Sequence, residues 1–221
     1  MKKRLVVLMG GQGVGKGSLA KRLVEKYGFV HVEAGAILRS MPPESEICKI
    51  ITCGNLVPDN LLFDIMVTKI NPDQDIVLDG FPRTLSQAQW LVEKYSDKFD
   101  IHVLYLYANK DLMIKRINKR ATEENLTDDM HMDVINKRLE NFYNVTMPAI
   151  DWLRGVSGVC FSEIDATGNK EENRQMNYIN YTLNGREKTH VPQYNKNYRK
   201  AFKIIIFVNS TYTLHNIYII I

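Results

Sequence analysis

Leu5-Val6-Val7-Leu8-Met9-Gly10-Gly11-Gln12-Gly13-Val14-Gly15-Lys16-Gly17-Ser18 passes from a continuous apolar run into a glycine-rich loop that carries a lysine. The apolar run reads as a buried strand. Leu19/Ala20, Leu23/Val24 and Tyr27 follow at helical spacing. Strand, glycine loop and helix in that order are the context a phosphate-binding loop needs. Glycines let successive backbone N–H groups converge on phosphate oxygens, and the helix N-terminus adds a favourable dipole. Lys16 supplies a mobile point charge for β- and γ-phosphates. The ordinary alternative, a glycine turn before a helix, accounts for neither the lysine nor the register of the glycines around it. The hydroxyl residue is Ser18, one position later than in the general pattern, because Gly17 follows the lysine.

Outward from this loop, Ile76-Val77-Leu78-Asp79 is a second apolar strand, ending in a carboxylate. Beside a phosphate loop such an aspartate is expected to hold Mg2+, directly or through water. Phe29 to Val32, Ile101 to Tyr107 and Val159 to Ile164 read as three more strands. Leu61/Leu62, Ile65/Met66 and Lys69/Ile70 fall at helical spacing, as do Ile135, Leu139, Phe142 and Tyr143. Strands alternating with helices, the strands nearly all apolar, predict an α/β fold: a five-stranded parallel sheet covered by helices on both faces.

A chain of 221 residues, 45% hydrophobic and 24% charged, can bury a core of that size. Met1-Lys2-Lys3-Arg4 before Leu5 to Met9 mimics a signal peptide, but the apolar run is too short and breaks into Gly10 and Gly11. No run approaches the roughly 20 apolar residues of a membrane span. Cys48, Cys53 and Cys160 make neither a disulfide framework nor a metal-ligand pattern. A cytoplasmic monomer is expected, with no membrane or nucleic-acid partner. The Asn-x-Thr triplets at Asn125, Asn144, Asn180 and Asn209 are then chance matches. Net charge is +4, but residues 1–173 carry 22 basic and 24 acidic side chains, whereas 174–221 carry seven basic and one acidic. Ile, Asn, Tyr and Lys make up 25 of the last 48 residues, a bias without period to which no fold is assigned. Residues 1–173 are read as the domain and 174–221 as a basic tail, a solvated end whose stretch Glu171 to Leu183 could add a closing helix.

Leu78-Asp79-Gly80-Phe81-Pro82-Arg83-Thr84, with Gln87-Ala88 following, closely resembles the signature segment of adenylate kinases, and the Gly-Lys-Gly-Ser ending of the phosphate loop is that family's variant. Ala34-Gly35-Ala36-Ile37-Leu38-Arg39 and Gly54-Asn55-Leu56-Val57-Pro58 are similar to its monophosphate-site segments. Arg116-Ile117-Asn118-Lys119-Arg120, Arg138-Leu139-Glu140-Asn141-Phe142-Tyr143 and Thr146-x-Pro148 are similar to its lid flanks. Asp165-Ala166-Thr167-Gly168 resembles its loop over the ATP adenine. The resemblance covers about residues 4–170 and implies a short-lid P-loop kinase moving the γ-phosphoryl of ATP to AMP. The monophosphate segment would span about 34–63 and the lid about 120–130. It assigns ATP to Gly13, Val14, Gly15, Lys16, Gly17, Ser18, Arg120 and Gly168. It assigns the monophosphate to Ala34, Arg39, Asn55, Leu56, Val57, Gly80, Phe81, Pro82, Arg83 and Gln87, with Gln87 reading the base edge by a paired amide. Lys16, Arg83, Arg116, Arg120 and Arg138 would gather on the migrating phosphoryl group, and Asp79 would hold Mg2+ through water.

Three departures accompany the resemblance. Ala34 stands where adenylate kinases commonly carry Thr or Ser and UMP-CMP kinases commonly carry Ala. The stretch between Arg39 and Gly54 is several residues short. Leu126 occupies the place of a lid arginine two residues before Asp128-Asp129, and the following helix is one residue long, so the register of Arg138 is open. The brief stretch Ala121 to Thr127 and the lack of cysteines there exclude a zinc-bearing lid. A UMP-CMP kinase and a weakly catalytic nucleotide-binding relative therefore stand as alternatives. A GTPase does not, because Leu112 follows Asn109-Lys110-Asp111 where a guanine reader needs Asp.

Overall fold

Leu5 to Met9 are all buried, as a strand with helices on both faces must be. The computed structural model describes residues 2–124 and 132–168; Leu126, Asp128, Asp129 and the segment 174–221 lie outside the described residues. In chain order the elements are β1 (Lys3–Met9), α1 (Lys16–Tyr27), β2 (Val30–Glu33), α2 (Ala34–Arg39), α3 (Glu46–Thr52), α4 (Asp59–Lys69) and β3 (Ile76–Asp79). They continue with α5 (Leu85–Tyr95), β4 (Phe99–Tyr107), α6 (Lys110–Glu124), α7 (Met132–Asn141), a π-helical turn (Phe142–Thr146), α8 (Met147–Arg154) and β5 (Val159–Asp165). The five strands form one parallel sheet in the order β2-β3-β1-β4-β5. The expected α/β fold and all five expected strands are present.

Alternation along each strand sorts the side chains into two layers. Leu5, Val7, Met9, Ile76, Leu78, Ile101 and Val103 face one way and share a core with Leu62 and Met66 of α4, Leu91 of α5 and Ile150 and Leu153 of α8. On the other face Leu19, Ala20 and Leu23 of α1 are buried where that helix packs over β1, β2 and β3. The helical faces are narrower than the sequence spacing implied. Val24 is 37% and Leu61 38% exposed beside their buried neighbours Leu23 and Leu62, and Tyr143 is 47% exposed. Ile70 is buried but lies past the end of α4, in extended backbone.

The strand order places the site. The chain leaves β1 toward one edge of the sheet and later returns to the other, so the loops after the strands open a crevice at their C-terminal ends. The loop after β1 carries Gly10 to Gly15, β2 ends at Glu33 before Ala34, β3 ends at Asp79 before Gly80, and β5 ends before Ala166 to Gly168. Every segment singled out for nucleotide binding outside the lid flanks therefore lies at this rim or in α2 to α5 beside it.

Candidate active site

The loop from Gly10 to Gly15 is shaped by close backbone packing. A Cβ on Gly10 would run into the Leu106 carbonyl oxygen, and one on Gly13 into the Met113 carbonyl oxygen. Gly13 (φ 77°) and Gly15 (φ 108°) also hold the left-handed conformation that glycine adopts without cost. Gly15 caps α1, which begins at Lys16 with no acidic residue in its first turn, so its N–H groups meet an anion with no carboxylate competing. The Lys16 ammonium donates to the Gly10 and Gly11 carbonyl oxygens at 2.9 Å each, curled beneath its own loop. Desolvation there lowers its pKa. Asp79 opposes that shift, while Arg83 and Arg120 reinforce it.

These influences on Lys16 map the site. Asp79, 7% exposed, ends β3 with one carboxylate oxygen 4.0 Å from where a Cβ on Gly17 would stand. Glu33 ends β2 directly opposite Asp79 in the strand register, and its charge also reaches Lys16. Arg83 is exposed by area, yet enough protein surrounds its guanidinium that desolvation is the first cause drawing its pKa down. The charges of Arg138 and Arg39 add to this, and Asp79 opposes it. Lys16, Arg39, Arg83, Arg120 and Arg138 thus stand within electrostatic reach of one or another of the group. With Asp79 and Glu33 as the acids beside them, these five cations leave the site able to hold a polyanion.

On the monophosphate side the Arg83 Nε donates to the Gly80 carbonyl oxygen at 2.9 Å. Arg39 pairs with the Glu33 carboxylate at 3.0 Å. Ala34 is buried and faces Gly80 across the crevice floor, while Phe81 and Pro82 are buried, Phe81 edge-on to Trp90. Asn55 is exposed, Leu56 half-buried and Val57 buried; the Asn55 N–H donates to the Ile50 carbonyl oxygen, so this backbone closes α3. Gln87 is placed differently from the expectation of a base reader. It is 0% exposed, its Oε1 accepts the Arg83 N–H at 2.7 Å and its Nε2 donates to Asp59 at 2.6 Å. Both ends of the amide thus have a protein partner, and the side chain has no exposed surface.

Arg116 has carbonyl partners on the phosphate loop and after β5. Its guanidinium donates to the carbonyl oxygens of Ala166 at 2.9 Å and of Val14 and Gly168 at 3.4 Å. It ties the loop after β5 to the phosphate loop. Arg138 donates to the Ile51 carbonyl oxygen at 3.4 Å and Asn141 to that of Gly54 at 3.0 Å, so α7 rests on the monophosphate segment. Sequence reasoning missed Glu33 and Asp59, since a carboxylate at a strand end or in the first turn of a helix has ordinary local reasons to be there.

The Asp79 carboxylate beside the first turn of α1 suits a hard divalent cation. Among the described residues no group of three or more His, Cys, Asp or Glu side chains could hold a metal ion. One carboxylate, waters and substrate phosphates make the coordination Mg2+ prefers, so the residues present fit it. Among the described residues no helix is long and apolar enough to cross a membrane.

Comparison with known proteins agrees with this geometry. The family model described as adenylate kinase matches residues 8–157. An adenylate kinase of Bacteroides thetaiotaomicron is 34% identical over 159 residues, covering 67% of this chain and 84% of that one. Adenylate kinase isoenzyme 1 of Gallus gallus is 32% identical over 178 residues, 76% of this chain and 89% of its own. The Homo sapiens isoenzyme 1 is 32% identical over 158 residues, 67% and 80% respectively. With the phosphate loop, the Asp79 strand end and the arginine cluster in one crevice, the chain belongs to the adenylate kinase family.

Proposed function

We propose that this chain transfers the γ-phosphoryl group of ATP to AMP, giving two ADP. A phosphate oxygen of AMP bonds to the γ-phosphorus as the bond from that phosphorus to the β,γ-bridging oxygen breaks. The enzyme has little covalent chemistry to do, so positioning and neutralisation carry the rate. The observation that carries the reading is the glycine loop with Lys16 curled beneath it at the C-terminal rim of the sheet, Lys16 and Arg83 both within electrostatic reach of Asp79, with Arg120 in reach of Lys16 and Arg39 and Arg138 in reach of Arg83. Gly13 to Ser18 would cradle the ATP phosphates, with Lys16 swinging from its loop carbonyls onto them. Arg116, which meets the Ala166 and Gly168 carbonyls, would hold the adenine loop of the ATP side. Arg39 and Arg83 would take the AMP phosphate, with Asn55, Leu56 and Val57 lining the monophosphate segment and Arg120 and Arg138 facing the group in transit. Asp79 would hold Mg2+ through water, and the cation supplies charge to offset that of the phosphates.

The names of the relatives favour AMP over UMP or CMP, while Ala34, without a hydroxyl, is the one residue that favours a pyrimidine acceptor. Residues 1–173 as the catalytic domain, a monomer in the cytoplasm with ATP and a nucleoside monophosphate as its partners, belong to the same proposal. A coupled assay with ATP against AMP, dAMP, UMP and CMP tests it. AMP is expected to be the fastest acceptor; UMP or CMP outpacing it overturns the choice, and no turnover with any acceptor overturns the activity.

A further inference from the structure

We infer that Asp59 is a positioning residue for the monophosphate side of the site, acting through Gln87 on Arg83; this rests on the function just proposed. Arg83 lies among the charges of Arg138 and Arg39, which repel it. A guanidinium in that position needs its backbone held. The Arg83 N–H is held by Gln87 Oε1 at 2.7 Å, within a side chain that has no exposed surface. An amide can turn over and present nitrogen where it presented oxygen. What stops it is on its other side: Nε2 donates to Asp59 Oδ1 at 2.6 Å, and an ionised carboxylate only accepts. One amide orientation alone satisfies both neighbours.

Thr84 closes the ring. Its hydroxyl lies 3.0 and 3.2 Å from the two Asp59 oxygens and accepts the Gln87 N–H at 3.1 Å, capping α5. Asp59 belongs to the first turn of α4, two residues after Val57. The ring therefore joins the monophosphate segment to the loop that carries Arg83, and none of its hydrogen bonds involves the phosphate loop. Removing the carboxylate strands a buried amide N–H and frees the amide to turn, and Arg83 then loses its backbone restraint.

Asp59→Ala, Asp59→Ser and Asp59→Asn, compared with the parent by steady-state kinetics and thermal melting, test this. Serine keeps a polar side chain at the start of α4 but is too short to reach the amide, so it probes the relay if alanine fails to fold. Asparagine keeps one acceptor oxygen but adds N–H donors that can face a turned Gln87 amide, so it restores the relay only in part. Loss of the carboxylate should raise KM for AMP about tenfold or more while KM for ATP stays within about twofold, with asparagine falling between serine and the parent. KM values for AMP and ATP rising together, or neither changing in a folded serine variant, overturns the inference while leaving the kinase reading intact. A parent that does not phosphorylate AMP overturns that reading and this inference with it.

Discussion

Two side chains at the rim have opposite expected effects when their charge is removed. Lys16 is held beneath its own loop by two carbonyls, not by apolar packing, so its loss costs the fold little. Lys16→Ala should leave the thermal melt near that of the parent and lower turnover by about 10²-fold or more, as removal of a single transition-state contact commonly does. Turnover within tenfold of the parent would remove the phosphate-loop assignment. Glu33, like Asp79 opposite it, is a carboxylate among cations that would receive two phosphorylated substrates. On the proposed function, its ion pair with Arg39 occupies a group that would meet the AMP phosphate, so the pair would compete with acceptor binding. Both side chains are more than a third exposed, 39% for Arg39 and 38% for Glu33, and such pairs are worth only about 0.2–1 kcal/mol. Glu33→Gln should therefore lower KM for AMP roughly two- to fivefold. An unchanged or higher KM would mean that Glu33 assists the acceptor instead of competing with it.

Among the elements, what was legible in the sequence is what local physics decides. The five strands were visible because a parallel sheet buried on both faces leaves unbroken apolar runs, and Leu5 to Met9 is such a run. The phosphate loop was visible because close approach to the Leu106 and Met113 carbonyls admits only glycine. Less was legible where two distant segments meet. Asp59 reads locally as an acid suited to a helix N-terminus, and only the fold brings Gln87, 28 positions away, against it. Arg116 and Arg138 sit in similar basic motifs, yet one is engaged by the carbonyls after β5 and the other by the end of α3. The π-helical turn at Phe142–Thr146 gave no periodic signal, but Pro148 accounts for it. Proline cannot donate to the Asn144 carbonyl, and its ring crowds that oxygen, so the turn before it widens. The widened turn carries the buried Phe142 ring within 3.5 Å of where a Cβ on Gly11 would stand, which brings the turn against the phosphate loop.

Taken whole, the molecule should lose stability toward acid in two separate windows. His102 projects from β4 between Val6 and Cys160 in the strand register, half-buried, its Nδ1 without a hydrogen-bond partner among the described residues. Burial lowers its pKa and the Arg4 charge adds to this, while Asp100 opposes it. A histidine whose folded pKa lies below the ordinary 6.5 binds a proton more readily unfolded. Stability is therefore full above that value and falls as pH drops toward the folded pKa. Asp75 acts further down. Burial alone would raise its carboxyl, but hydrogen bonds from the Arg4 side chain and backbone outweigh that and hold it below the ordinary range. Its contribution is present above the ordinary value of 3.8 and is lost as pH falls through the folded pKa. Because Arg4 lies in β1 and Asp75 precedes β3, the second loss loosens the N-terminal ends of two central strands, at the opposite edge of the sheet from the nucleotide rim. Thermal melts from pH 7.5 to pH 5.5 isolate the first window. The parent should melt lower at pH 5.5, and His102→Leu should lose less over the same interval because its side chain takes up no proton. An equal loss in both would assign the decline to other groups. A greater loss in His102→Leu would mean that the imidazolium, paired with Asp100, stabilises the sheet.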